Sequence, residues 1–224
     1  MAGNNQRLVK KYHSNWRYVS RKLIQSGSLA KWLQKNFAIS VKGRGNLDKL
    51  PANGAFIIVA NHQSHLDAPL IIGMLPRKIG ARVAVGAASD YFFKNYWQSK
   101  PTRLLLNTYP IDRGSSKTHQ GLTADLVTSG VPILVFPEGT RSRTGELGEF
   151  HSGLARIAVS TGAPILPIAL TGTGQAWMVD RRQPEPSRPS VSIEFLPLVY
   201  PLSDSQPEEL MESVRQQIAN KIGQ

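Results

Sequence analysis

The sequence predicts an α/β fold: a single mixed sheet covered by helices, with an N-terminal amphipathic helical hairpin. Three observations carry this expectation. From Ala38 onward, short apolar, β-rich runs alternate with helical stretches, the order in which strands and their covering helices build an α/β sheet. Gly130 and Gly162 stand where helix C-terminal caps are wanted. Upstream of Ala38 the apolar period is helical instead, and the charge is almost wholly basic.

In order along the chain, a helix over 8–24 places Leu8, Tyr12, Trp16, Val19 and Leu23 within about 80° of one another. Lys10, Lys11, Arg17, Arg21 and Lys22 then fall on the opposite side. After a break at Gly27, a shorter stretch groups Leu29, Trp32 and Leu33 and ends near Phe37, completing the hairpin. Strands are predicted at 39–42, 55–60, 82–85, 133–136, 165–170 and 191–195, and helices near 66–75, 115–129 and 152–161. Pro184, Pro186 and Pro189 mark a loop before the final strand. The last helix is expected to open on a capping box, Ser205 with Glu208, and to present Leu210, Val214, Ile218 and Ile222 on one face. The chain divides accordingly into a basic helical segment, 1–37, and a main α/β domain, 38–224.

At 224 residues with 41% hydrophobic content, the chain can bury one sizeable core. The absence of cysteine excludes disulfides, thiolate metal sites and a cysteine acyl-enzyme. The net charge of +12 is lopsided: residues 1–47 hold ten Lys or Arg and no acid, whereas 48–224 hold seventeen bases against fifteen acids. Such a cluster suits an anionic membrane surface, an acidic carrier protein or nucleic acid alike, because counterion attraction does not identify the polyanion. The acid-free start also shares its composition with organellar transit peptides, although Trp16, Trp32 and the phased stripe are less typical of one. No apolar run approaches the roughly 18 to 20 residues of a spanning helix, so no transmembrane segment is expected.

Chemistry concentrates in three segments. The first is NHQSHLDAP at 61–69, between the strand at 55–60 and an apolar helix. On one continuous helix His62 and Asp67 would diverge by about 140°, so they meet only if His62 lies in the turn and Asp67 in the first helical turn. Asp67 could then orient His62 as a general base. An alternative is a capping box in which Ser64 caps the helix, Asp67 reaches back and His62 is a satisfied loop residue; His65 is a competing base. A metal site is less attractive, since no nearby segment supplies further ligands. The second segment, FPEGTRSRTG at 136–145, gathers Glu138, Gly139, Thr140, Arg141, Ser142 and Arg143 in a loop able to hold a phosphate, or one that is simply a polar turn. The third, YPIDRG at 109–114, offers Arg113 as another phosphate ligand or as a surface turn residue.

In order and spacing these segments resemble the glycerophospholipid acyltransferase family, which includes lysophosphatidic acid acyltransferases; the likeness spans residues from about 40 to 175. In that family an NH-x4-D block carries the catalytic base, matched by His62 and Asp67, which makes His65 the variable position. The second block ends in Ile-Asp-Arg, as Ile111, Asp112 and Arg113 do, its arginine associated with the acceptor phosphate. The third matches Phe136 through Ser142, with Glu138, Gly139 and Arg141 implicated in acceptor binding, and a proline-containing fourth resembles 165–172 around Pro167. Two departures stand out. Asn107, Thr108, Tyr109 and Pro110 precede Ile111 where the family often has a glycine, and His151 follows Phe150 where a lysine is common.

The resemblance implies acyl transfer from acyl-coenzyme A or acyl-acyl carrier protein as co-substrate, with no bound cofactor and no metal, to the free hydroxyl of a lysophospholipid. The expected acceptor is 1-acyl-sn-glycerol-3-phosphate, giving phosphatidic acid; glycerol 3-phosphate or another lysolipid is the alternative. Expected partners are the acceptor, the thioester donor, the carrier protein where that is the donor, and an anionic membrane through residues 1–37, with no nucleic acid. The expected location is peripheral, on the cytoplasmic face. A hydrolase would reuse the same His–Asp pair, but no GxSxG elbow occurs, and Ser152 lacks the preceding glycine. A pure binding module would leave the strand-end motifs unexplained.

Overall fold

A computed structural model describes residues 2–52, 54–88, 103–111, 121–181 and 183–224. One sheet is built from β1 (Ala38–Lys42), β2 (Ile57–Ala60), β3 (Ala84–Ala88), β4 (Tyr109–Ile111), β5 (Ile133–Val135), β6 (Ile165–Thr171) and β7 (Ser190–Phe195), in the order β1-β7-β6-β2-β5-β3-β4. Five strands, β2 to β6, run parallel; β7 turns back against β6, and β1 lies parallel to β7, so the sheet is mixed as expected. All six predicted strands are present. β4 was not among them, because three residues containing a proline are too few to show a strand period.

The apolar character of β2 follows from its central place. Ile58 and Ala60 face one core and Ile57 and Val59 the other, and all four are fully buried, the pattern of a parallel strand covered on both sides. The first core is closed by α3 (Ala30–Asn36) and α4 (Asp67–Met74) through Leu33, Leu70 and Ile71. Gly73 makes this possible: a Cβ there would lie 2.4 Å from Leu33 Cδ1. The second core takes Leu122 and Leu126 from α6 (Leu122–Thr128), Leu154 and Ala158 from α7 (Gly153–Thr161), and Met211, Val214 and Ile218 from the C-terminal helix α9 (Pro207–Ile222). The short helices α5 (Arg77–Gly80) and α8 (Thr173–Ala176) follow α4 and β6.

The N-terminal helices depart from their predicted boundaries. The break falls at His13 and Ser14, between α1 (Ala2–Tyr12) and α2 (Asn15–Ile24), whereas Gly27 lies inside a π-helical turn, Gln25–Leu29, that carries the chain straight into α3. The apolar stripe is divided by that break. Leu8 and Tyr12 pack on the second core, while Trp16, Val19 and Leu23 of α2 remain 63%, 52% and 67% exposed. The inward face of α2 is polar instead. Arg21 is fully buried with its Nε donating to Ala81 O at 2.8 Å, and beyond the helix Gln25 donates to Leu105 O at 2.7 Å.

The predicted capping box also gives way. Pro207 occupies the first turn of α9, with its fixed φ, and Gln206 is the N-cap. Ser205 Oγ accepts from Leu202 N, while the Glu208 carboxylate is drawn to Arg156 at 2.6 Å and Ser152 at 3.1 Å. Gly162, in contrast, caps α7 with φ +68°, as predicted. Among the described residues no helix is long and apolar enough to cross a membrane.

Candidate active site

Parallel strands deliver their C-terminal ends to one edge of a sheet, where α/β proteins place their sites. β2 pairs with β5 on one side and β6 on the other, so the turns following β2 and β5 are neighbours across a single strand spacing. β4 ends on the same edge at Ile111; Asp112 and Arg113 lie outside the described residues.

The turn after β2 is organised around one oxygen. Asp67, the first residue of α4, is fully buried, and its Oδ2 accepts from His62 Nδ1 at 2.7 Å, Gln63 N at 2.7 Å and Ser64 N at 2.8 Å. Ser64 Oγ accepts from Leu66 N at 3.1 Å and donates to Trp177 O at 2.6 Å. The capping contact of Asp67 with Ser64 and its contact with His62 therefore coexist, made by the same oxygen. Because Oδ2 already accepts two amide hydrogens, the contact with Nδ1 is one in which the ring donates. Nε2 then carries the lone pair. The imidazole stacks on Phe136, 4.0 Å between centroids and 14° from parallel, and its side chain stays 20% exposed. Asp67 thus sets the tautomer and Phe136 the ring plane.

The loop after β5 grips the backbone of His62. Glu138 Oε1 accepts from His62 N at 2.7 Å, Glu138 Oε2 from Gly148 N at 3.1 Å, and Ser142 N donates to His62 O at 2.8 Å. Burial raises the Glu138 carboxyl above its ordinary range, opposed by those two amide donors. Gly139 supplies the sharp turn, with φ +70° and its N–H on Phe136 O at 3.1 Å. Thr140 is exposed, and Ser142 Oγ accepts from Gly145 N at 3.1 Å. Arg141 turns toward the first motif: its Nη1 lies 2.6 Å from Nε2 and 2.9 Å from Nδ1 of His65. Burial, then the neighbouring guanidinium, lowers the pKa of His65 below its ordinary 6.5. His62 and His65 thus occupy different electrostatic settings, one facing a carboxylate and the other a guanidinium.

The sequence reading assigned no role to Asn61. It is 1% exposed, and its amide bridges to β6, Nδ2 donating to Leu170 O at 2.9 Å and Oδ1 accepting from Leu170 N at 2.8 Å. That clamp fixes the point where the turn leaves the sheet. A polar residue ending an apolar strand is its only local signal, since its partner is 109 residues away. Phe136 likewise looked like strand apolar content. Among the described residues, no three His, Asp or Glu side chains cluster as metal ligands would.

Comparison with known proteins follows the same segments. A family model described as Acyltransferase matches residues 39–171, from β1 through β6. A 1-acyl-sn-glycerol-3-phosphate acyltransferase of Cocos nucifera is 32% identical over 130 residues, covering 56% of this chain and 40% of that protein. One from Chlamydomonas reinhardtii is 28% identical over 189 residues, 83% of this chain and 53% of its own length. The chain thus spans about half the length of the curated relatives it matches. Among solved structures, the 1-acyl-sn-glycerophosphate (LPA) acyltransferase of Thermotoga maritima superposes with a TM-score of 0.69 at 27% identity, covering 96% of this chain and 86% of that one. With the matched region running over more than half of the sequence and through both strand-end turns, the chain belongs to the acyltransferase family.

Proposed function

We propose that the protein is an O-acyltransferase that moves a fatty-acyl group from an acyl thioester to the free hydroxyl of 1-acyl-sn-glycerol-3-phosphate, giving phosphatidic acid. The observation that carries this reading is the Asp67 Oδ2 contact to His62 Nδ1 at the end of β2, which leaves Nε2 with a lone pair on a side chain that is 20% exposed. The similar proteins, named as acyltransferases of that acceptor, supply the substrate class.

In the proposed reaction, Nε2 of His62 takes the acceptor hydroxyl's proton as the oxygen attacks the thioester carbonyl. The new O–C bond forms, the C–S bond breaks, and the imidazolium returns its proton to the departing thiolate. No acyl-enzyme intervenes. The geometry favours Glu138 as a positioning residue, because both of its oxygens are engaged by backbone amides of the turns. Arg113, with Gly139, Thr140, Arg141 and Ser142 of the β5 loop, is assigned to the acceptor phosphate, gaining rate by holding the hydroxyl against the base. The donor is acyl-coenzyme A or acyl carrier protein.

We further assign residues 1–37 to the cytoplasmic face of an anionic membrane, on which the 38–224 catalytic domain sits peripherally. Exposed Trp16, Val19 and Leu23 beside Arg17 and Lys22 favour an interfacial helix. Thiol release from acyl-coenzyme A, followed with and without lysophosphatidic acid and with analysis of the lipid product, tests the central reading. Acceptor-dependent release that His62→Ala loses supports transfer. Equal release without acceptor would make the protein a hydrolase, and if acyl-coenzyme A is inert the assay is repeated with acyl carrier protein.

A further inference from the structure

A cavity of about 300 Å³ lies under the junction of α1 and α2. Arg82 and Val131, which line it, stand just before β3 and β5, so the cavity opens at the sheet edge opposite His62. Its chemistry is cationic. Arg21, Arg82, His13 and Asn15 contribute to the lining, and among the described residues no Asp or Glu does.

Arg21 is the informative residue. It is 1% exposed and among the largest fully buried side chains; among the described residues its Nε donates to Ala81 O, and Nη2 is buried without a partner. An unneutralised guanidinium in such a place is costly, and proteins ordinarily pair it. Neither tyrosine of the cavity serves as a counter-ion. Tyr12 is pushed up to about 12 by burial and donates to Thr108 O, and Tyr18 lies under the Arg82 guanidinium, 5.6 Å from its ring centre. Desolvation, then neighbouring Arg17, lowers Arg21 itself to about 10, still charged at neutral pH. The first turn of α2, whose Ser14 N-cap makes no side-chain bond, adds amide hydrogens at the same junction.

We propose that this cavity binds a phosphate group, with Arg21 and Arg82 as its principal donors, at a site separate from the His62–Asp67 turn. Phosphate matches a setting of two guanidinium forks and further N–H donors, because it offers several acceptor oxygens at once. The same helix carries Trp16, Val19 and Leu23 outward, so the phosphate of a membrane phospholipid headgroup can reach the cavity while its chains stay in the bilayer; free phosphate shares the chemistry.

Two binding measurements on the full chain test this without reference to turnover. In the first, thermal unfolding is followed with inorganic phosphate against chloride at equal ionic strength. In the second, flotation with phosphatidylcholine vesicles is compared with and without phosphatidic acid. Variants are Arg21→Met, Arg82→Gln, and Lys49→Met, outside the 1–37 segment, as an exposed control of equal charge change. A phosphate-dependent rise in melting temperature that Arg21→Met and Arg82→Gln lose supports a site open to free phosphate. No rise, but phosphatidic-acid-dependent binding weakened about tenfold in either variant and unchanged in Lys49→Met, supports the lipid headgroup. Equal responses of wild type and both arginine variants, or a loss matched by Lys49→Met, overturn the proposal. Arg82 is exposed, so Arg82→Gln keeps the test decisive should Arg21→Met fail to fold.

Discussion

The turn after β2 and the helix α2 treat their polar residues in opposite ways. At the turn, donors close inward on one carboxylate oxygen, Asp67 Oδ2, within six residues of chain, while Oδ1 of the same group is buried without a partner among the described residues. In α2 the polar side faces the protein and finds a carbonyl sixty residues away, while the apolar side faces outward. The first is a local device that works wherever the strand ends. The second makes sense only in relation to what lies on both sides of the helix, the sheet below and a surface above.

Breaking the turn should have the largest effect. His62→Ala is expected to reduce acceptor-dependent thiol release by on the order of 10³-fold, the scale of a lost general base, with the circular dichroism spectrum unchanged. Asp67→Asn goes further into the turn: it removes the charge behind three hydrogen bonds and buries an NH2 group where Oδ1 has no partner among the described residues, or sets that group against the Oδ2 donors. A loss in rate on the order of 10²-fold or more, with a lowered melting temperature, is expected. An Asp67→Asn enzyme with full activity would show that the tautomer of His62 does not depend on the carboxylate.

Breaking the outer face of α2 should separate attachment from fold. Replacing Trp16, Val19 and Leu23 together with serine removes no core contact, so the melting temperature should hold or rise slightly, whereas co-sedimentation with anionic liposomes should fall by about tenfold or more. Deleting residues 1–36 would be a poorer test, because Leu29 and Leu33 belong to the first core and Leu8 and Tyr12 pack on the second. If the triple variant binds liposomes as well as wild type, the exposed face is not the membrane contact.

This contrast also explains what was legible in the sequence. Strand positions could be read because β2, β5 and β6 are apolar runs whose burial comes from being central. His62 and Asp67 could be read as a candidate pair because a five-residue separation lets a strand-to-helix turn join them, and the family resemblance favoured that pair over His65. The phase of α2 could not: period alone gives a stripe, and the choice between packing Leu8 and exposing Trp16 depends on a helix break at His13 and on Ala81, far along the chain. Asn61 was overlooked for the same reason. Glu138 was assigned to substrate by resemblance, and only the fold shows both of its oxygens bonded to backbone amides.

A smaller effect is expected where the two strand-end turns join. Glu138→Gln keeps one acceptor oxygen but presents an NH2 group to either His62 N or Gly148 N, replacing a hydrogen bond with a donor–donor contact. About 1–3 kcal/mol of stability should be lost, read as the denaturation midpoint at constant slope. Activity should decline with it through displacement of the His62 backbone. An unchanged midpoint with a raised KM for the acceptor would instead make Glu138 a substrate ligand.

The smallest effect concerns the second histidine of the turn. His65 has its folded pKa below 6.5 because burial, and then Arg141, disfavour the cation. Its unfolded form therefore binds a proton first as pH falls, so this residue removes stability below about pH 6.5 and adds no further loss once pH is under its folded value. Arg141→Gln takes away the second largest of the causes, after burial. The His65 ring resonances in that variant should titrate at higher pH than in wild type while remaining below 6.5, since burial persists. The acid-side loss of stability should shrink accordingly. A titration that does not move would mean that the close approach of the guanidinium is electrostatically silent and that burial dominates.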